Sequence, residues 1–107
     1  VKNNKPYRRQ HQLKPIPKTL KIGPNNWNII FMKNLSHDED KFGKTLMLTN
    51  TIQIEPELIE TRMHEVYWHE VIHAAAEWAG IDLGEDIVLR LGKVMYEILL
   101  ENGYLYE

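Results

Sequence analysis

Apolar residues recur along this chain with two different periods. Between Thr19 and Ile54 they alternate or gather in short runs, and beyond Glu57 they return every three or four residues. The first spacing belongs to strands and the second to helices. Thr19-Leu20-Lys21-Ile22 alternates and stops at Gly23-Pro24, which predicts a short strand and a turn. Trp27-Asn28-Ile29-Ile30-Phe31-Met32 predicts a second strand, with Asn25-Asn26 in the hairpin turn. Gly43–Leu48 and Thr51–Ile54 flank Thr49-Asn50 and predict a second hairpin. Between the hairpins, Ser36-His37-Asp38-Glu39-Asp40 reads as a solvated acidic loop.

Pro56 suits the first turn of a helix, and Glu55, Glu57 and Glu60 suit its positive end. That helix is predicted over 57–79, with Gly80 as its stop. Val71, Ile72, Ala74, Ala75, Ala76, Trp78 and Ala79 make it apolar nearly all round, so it should be central and buried. A last helix opens near Gly84 and ends at Asn102-Gly103. In it Ile87, Leu91, Val94 and Ile98 recur at helical spacing, widened by Val88, Met95 and Leu99, as a core-facing stripe would. Strands followed by helices imply an α+β domain. The expected form is a small antiparallel sheet of two hairpins packed on the central helix and a C-terminal helix.

A length of 107 residues allows one modest core. Residues 1–17, with Pro6, Pro15 and Pro17, show no periodicity and read as an extended arm, leaving 18–107 as the single domain. The net charge of −2 hides an asymmetry. Lys2, Lys5, Arg8, Arg9, Lys14, Lys18 and Lys21 precede every Asp and Glu. Such an arm offers a surface for nucleic acid or an acidic partner, although a solvated tail is the plainer reading. No apolar run approaches the roughly 20 residues of a membrane span, and nothing reads as a secretory signal. Val1 reads as a processed or truncated start. Absence of cysteine removes disulfides and thiolate metal sites and fits a cytoplasmic protein, so any zinc must rely on His and carboxylate.

The candidate chemistry lies in His69-Glu70-Val71-Ile72-His73. Residues four apart lie one turn apart on one helix face, so His69 and His73 can offer two imidazole nitrogens to one Zn2+. Glu70, about 100° round the helix, flanks the ion as a general base. A catalytic zinc usually takes three protein ligands. Glu77 lies eight residues past His69, about 12 Å along a helix, and is too distant to share an ion. Asp82 lies just past the helix and can fold back. Asp86 belongs to a polar face with Arg90, Lys93, Glu97 and Glu101. Glu85 opens the stripe Val88–Gly92–Met95–Leu99, where Gly92 would let two helices approach. Glu85 is therefore the favoured third ligand. The competing reading is a capping box with Asp82 as N-cap. Tyr67, Tyr96, Tyr104 and His64 are candidate oxyanion or substrate donors.

The run His69-Glu70-Val71-Ile72-His73-Ala74, then Gly80-Ile81-Asp82-Leu83 and a helix opening Glu85-Asp86-Ile87-Val88, resembles the small zinc metallopeptidases of phages and mobile elements. These are similar to minimal gluzincins and to ImmA/IrrE-type peptidases. The resemblance covers roughly residues 18–103. It implies a minimal zincin-like fold, peptide hydrolysis, and a Glu on the following helix as third ligand, matching Glu85. The chain departs from the pattern at Gly84, where a capping residue is expected. Ala76 also stands where the metzincin extension has its Gly. The expected function is zinc-dependent hydrolysis of a peptide or protein by a metal-activated water, with substrate added as a strand along Thr45–Leu48 or Thr51–Ile54. The alternative is a weakly active or inactive zincin-fold module that binds nucleic acid or a protein through its basic arm.

Overall fold

The computed structural model describes residues 12–39 and 41–107. Strand β1 (Thr19–Ile22) turns through Gly23-Pro24 into β2 (Asn25–Phe31), and Ile22 pairs with Asn25. The turn is thus tighter than expected: Asn25 and Asn26 are strand residues. The predicted acidic loop contains a short helix, α1 (Leu35–Glu39). The buried Glu55 carboxylate accepts hydrogen bonds from the Ser36 amide at 2.9 Å and the Ser36 hydroxyl at 3.0 Å. It also accepts one from the Glu57 amide at 3.1 Å. Three donors on one carboxylate tie α1 to the turn after the sheet and hold the Glu55 carboxyl below the usual range, with the Ser36 amide as the largest cause.

Strand β3 (Gly43–Leu46) leads through a single 3-10 turn, Met47–Thr49, into β4 (Thr51–Ile54). Asn50 takes a left-handed conformation at the junction. The strand order is β1-β2-β4-β3, with both hairpins antiparallel but β2 and β4 parallel. The sheet is therefore mixed, which corrects the purely antiparallel expectation. Hydrophobic burial selects this order. Ile52 and Ile54 are fully buried, and a central β4 sets them beside Ile29 and Phe31 of β2. Gly43, Lys44 and Thr45 are left at the edge, where polar residues cost least. Thr51–Ile54 is consequently an interior strand and offers no edge to a substrate; β3 does.

Helix α2 spans Glu60–Ala79 and starts three residues later than predicted, after the turn that Glu55 closes. Gly80 ends it at φ 71°, with the Ile81 amide reaching back to the Ala76 carbonyl and the Gly80 amide to that of Glu77. One side of α2 lies on the sheet, where Tyr67 and Ala74 join Trp27, Ile29, Ile52 and Ile54 in the main core. Helix α3 (Glu85–Glu101) packs on another side of α2. Its inward residues are Val88, Gly92, Tyr96 and Leu100. The stripe Ile87–Leu91–Val94–Ile98, expected to face the core, faces outward instead. A second core unites Tyr96 and Leu100 with Leu13, Leu105 and Tyr106.

Leu13 does not belong to a free arm. It pairs with Tyr106, and the Lys14 and Glu107 amides bond the Leu105 and Gln12 carbonyls at 2.8 Å each. Residues 12–17 thus belong to the domain, held by an apolar anchor that a proline-broken pattern conceals. Lys2, Lys5, Arg8 and Arg9 lie outside the described residues, as does Asp40. No helix among the described residues is long and apolar enough to cross a membrane.

Candidate metal centre

The α2 helix turns His69 and His73 onto one face, their ring centroids 5.0 Å apart. Helix α3 begins directly opposite. Glu85 is its first residue, after Gly84, which makes no side-chain cap. The capping-box reading therefore does not hold: with Gly84 in the cap position, Glu85 cannot occupy the third helical place. The Glu85 carboxylate instead reaches both imidazoles, with Oε2 3.0 Å from His69 Nε2 and Oε1 2.8 Å from His73 Nε2. Donor atoms of all three residues lie within 4.8 Å of one another. Glu77, Asp82 and Asp86 are exposed and take no part in this cluster. The two helices come close at Gly92, where an added Cβ would stand 3.4 Å from the His69 Cα.

Glu70 is 7 % exposed and lies beside the histidines on the sheet side of α2. Its Oε1 accepts the Thr45 hydroxyl of β3 at 2.6 Å. Burial pushes its carboxyl above the usual carboxylate range, opposed by the Thr45 hydrogen bond and the two histidines. Gly43 brings the edge strand this close: a Cβ there would sit 2.6 Å from Val66 Cγ1 and 2.9 Å from Glu70 Oε2. Sequence reasoning missed both Thr45 and Gly43. The available signal was a strand whose alternate positions, Gly43 and Thr45, carry no apolar side chain.

The histidines, Glu70 and Glu85 open into a cleft of about 1060 Å³ between β3, α2 and α3. Lys41, Lys44, Arg62, Arg90 and Lys93 line it, with Phe42, Met47 and Leu89 as apolar patches. Lys44 is already paired with Glu39 at 2.7 Å. The residues named as oxyanion donors are elsewhere. Tyr67 is in the main core, its hydroxyl pushed up to about 12 by burial. Tyr96 is in the second core and donates to the Thr61 carbonyl at 2.9 Å. His64 is buried against the Lys14 backbone, and that burial lowers its pKa. Tyr104 is exposed near the C-terminus, and none of the four lines the cleft. An aromatic ring near the motif in sequence was drawn into apolar packing, because its face buries more readily than its hydroxyl stays in a polar cleft.

No family model, no curated protein and no solved structure matches this chain.

Proposed function

We propose that this chain is a zinc-dependent metallopeptidase whose ligands are His69, His73 and Glu85. The observation that carries the reading is the convergence of three donor atoms within 4.8 Å, beside a buried carboxylate. The donor set fits zinc. Two imidazole nitrogens and one carboxylate oxygen match a common catalytic arrangement, in which donors on bonds of about 2.0–2.1 Å lie roughly 3.3 Å apart. The contacts here, 2.8 Å from His73 to one Glu85 oxygen and 3.0 Å from His69 to the other, are hydrogen-bond distances that gather the three donors at one place. Zinc held by these residues supplies Lewis acidity to a carbonyl oxygen and brings the pKa of adjacent water to about 7.

The remaining work falls to the chain's own groups. Glu70 takes a proton from the attacking water as its oxygen joins the carbonyl carbon, and returns one to the leaving amine as the C–N bond breaks. Thr45 holds the Glu70 carboxylate in place through Oε1. The exposed side of β3 offers backbone groups on which an extended peptide can align. Lys41, Arg90 and Lys93 face the same cleft and favour acidic side chains in the substrate.

The test is metal analysis of the purified protein followed by hydrolysis of a peptide library with and without a chelator. One equivalent of zinc and chelator-sensitive, zinc-restored cleavage is the expected result. Bound zinc with no cleavage would leave a metal-binding module, and no zinc at all would overturn the reading.

A further inference from the structure

We propose that the outer face of α3 pairs with the same face of a second copy of this chain, the two helices running antiparallel about a two-fold axis. Helix α3 meets α2 at Gly92 and Tyr96, buries Val88, and turns a different apolar stripe to solvent. Ile87, Leu91, Val94 and Ile98 are 50, 46, 52 and 55 % exposed. Four aliphatic side chains aligned along the helix form a continuous patch, unlike the scattered apolar residues of an ordinary surface.

The spacing of the stripe allows it to pair with itself. Its steps are four, three and four residues, which read the same from either end. A two-fold axis midway between Leu91 and Val94 therefore lays the stripe on itself. Ile87 meets Ile98 of the second copy and Leu91 meets its Val94, as facing layers in an antiparallel coiled coil. The charges obey the same symmetry. Arg90 and Glu97 stand on one shoulder of the stripe, seven residues apart. Antiparallel pairing brings Arg90 of each copy to Glu97 of the other, twice over. Parallel pairing would set Arg90 beside the uncharged Met95 shoulder and form neither pair.

Other occupants fit less well. An interfacial membrane helix carries Lys and Arg beside its apolar face, whereas this stripe is bordered by Glu97 and Glu101 as well as Arg90. The inference does not use the metal ligands, and no residue of the stripe lines the cleft, although Arg90 on its shoulder does.

Sedimentation velocity of the full chain, from about 5 to about 300 µM, tests the pairing in the micromolar range expected of a small interface. The wild type should pass from monomer to dimer as concentration rises. Leu91→Glu, at an exposed position and checked for an unchanged fold by circular dichroism, should weaken the dimer by at least about tenfold. Glu97→Arg should also weaken it, by setting two guanidinium groups against each other where an ion pair stood. The double variant Arg90→Glu with Glu97→Arg should restore it, because the pair is rebuilt with its charges exchanged. A monomer at the highest concentration, or a dimer indifferent to Leu91→Glu, overturns the proposal. A double variant no better than Glu97→Arg alone overturns the antiparallel register.

Discussion

Thr45 of the edge strand donates its hydroxyl to Glu70 Oε1 across 2.6 Å, joining the sheet to the candidate general base. The two residues are 25 positions apart in the chain. Thr45→Val keeps the shape and removes the donor. A hydrogen bond to a charged group contributes about 1.5–3 kcal/mol, so hydrolysis should fall roughly tenfold to a hundredfold with zinc content unchanged. Glu70→Gln should also keep zinc and lose about 10²–10⁴-fold in kcat. Turnover surviving in Glu70→Gln would remove this carboxylate from the reaction.

Zinc affinity should depend on Glu85 as strongly as on the histidines. Glu85→Gln and His73→Ala are each expected to cost more than the roughly 10–100-fold that loss of an outer-sphere partner costs. Asp86→Asn, one residue on but outside the cluster, should leave affinity unchanged. Titration calorimetry with zinc compares the three. Equal affinity of wild type and Glu85→Gln would show that Glu85 only hydrogen-bonds the imidazoles.

Gly92 and Gly43 should respond differently to the same substitution. At Gly92 a Cβ meets ordinary contacts of 3.4 and 3.5 Å, so Gly92→Ala should gain about 0.5–1 kcal/mol of stability from a stiffer helix. Gly92→Leu has no room and should push α3 off α2, drawing Glu85 from the histidines and weakening zinc binding. At Gly43 the Cβ would overlap Val66 and Glu70, so Gly43→Ala should cost about 1–3 kcal/mol. Thermal or urea unfolding of the metal-free proteins measures the stabilities, and zinc titration calorimetry measures the effect of Gly92→Leu on binding.

The contribution of His64 to stability should decline as pH falls from neutrality. Its pKa in the fold lies below the ordinary 6.5 because burial disfavours the cation. The unfolded chain then binds the proton more readily than the folded one. The contribution is complete above about 6.5 and is lost as pH falls from there through the folded value. The Glu55 carboxyl, lowered by the hydrogen bonds from Ser36 and Glu57, adds a loss of the same sign below its ordinary 4.5. Melting temperature against pH in chelator should fall less steeply between pH 7 and 5 (about the His range) for His64→Gln than for wild type.

The cationic lining of the cleft should appear in substrate choice. Peptides carrying Asp or Glu near the cleaved bond should be cut faster than their amide counterparts, and the advantage should shrink at high salt. Lys41→Gln with Lys93→Gln should reduce that preference while leaving cleavage of neutral peptides nearly unchanged. A library with no acidic preference would assign these side chains to solubility.

What could be read from residues alone was what neighbours in the chain decide. Spacing of four on a helix places His69 and His73 together whatever the rest of the molecule does, and the strand and helix periods located most elements. Gly92 marked a close helix contact, and position on α3 singled out Glu85 among the acids. Tertiary structure decided what depends on distant segments. Helix α3 carries two apolar stripes, and periodicity could not say which faces inward. The small Gly92 and the reach of Glu85 to the imidazoles accompany the stripe that does. The parallel pairing of β2 with β4, the burial of Tyr67 and Tyr96, and the seat of Leu13 on the C-terminal tail follow from matching apolar surfaces. Thr45 meets Glu70 for the same reason. Side chains on separate elements touch only after those elements pack, and local sequence pattern carries no record of that contact.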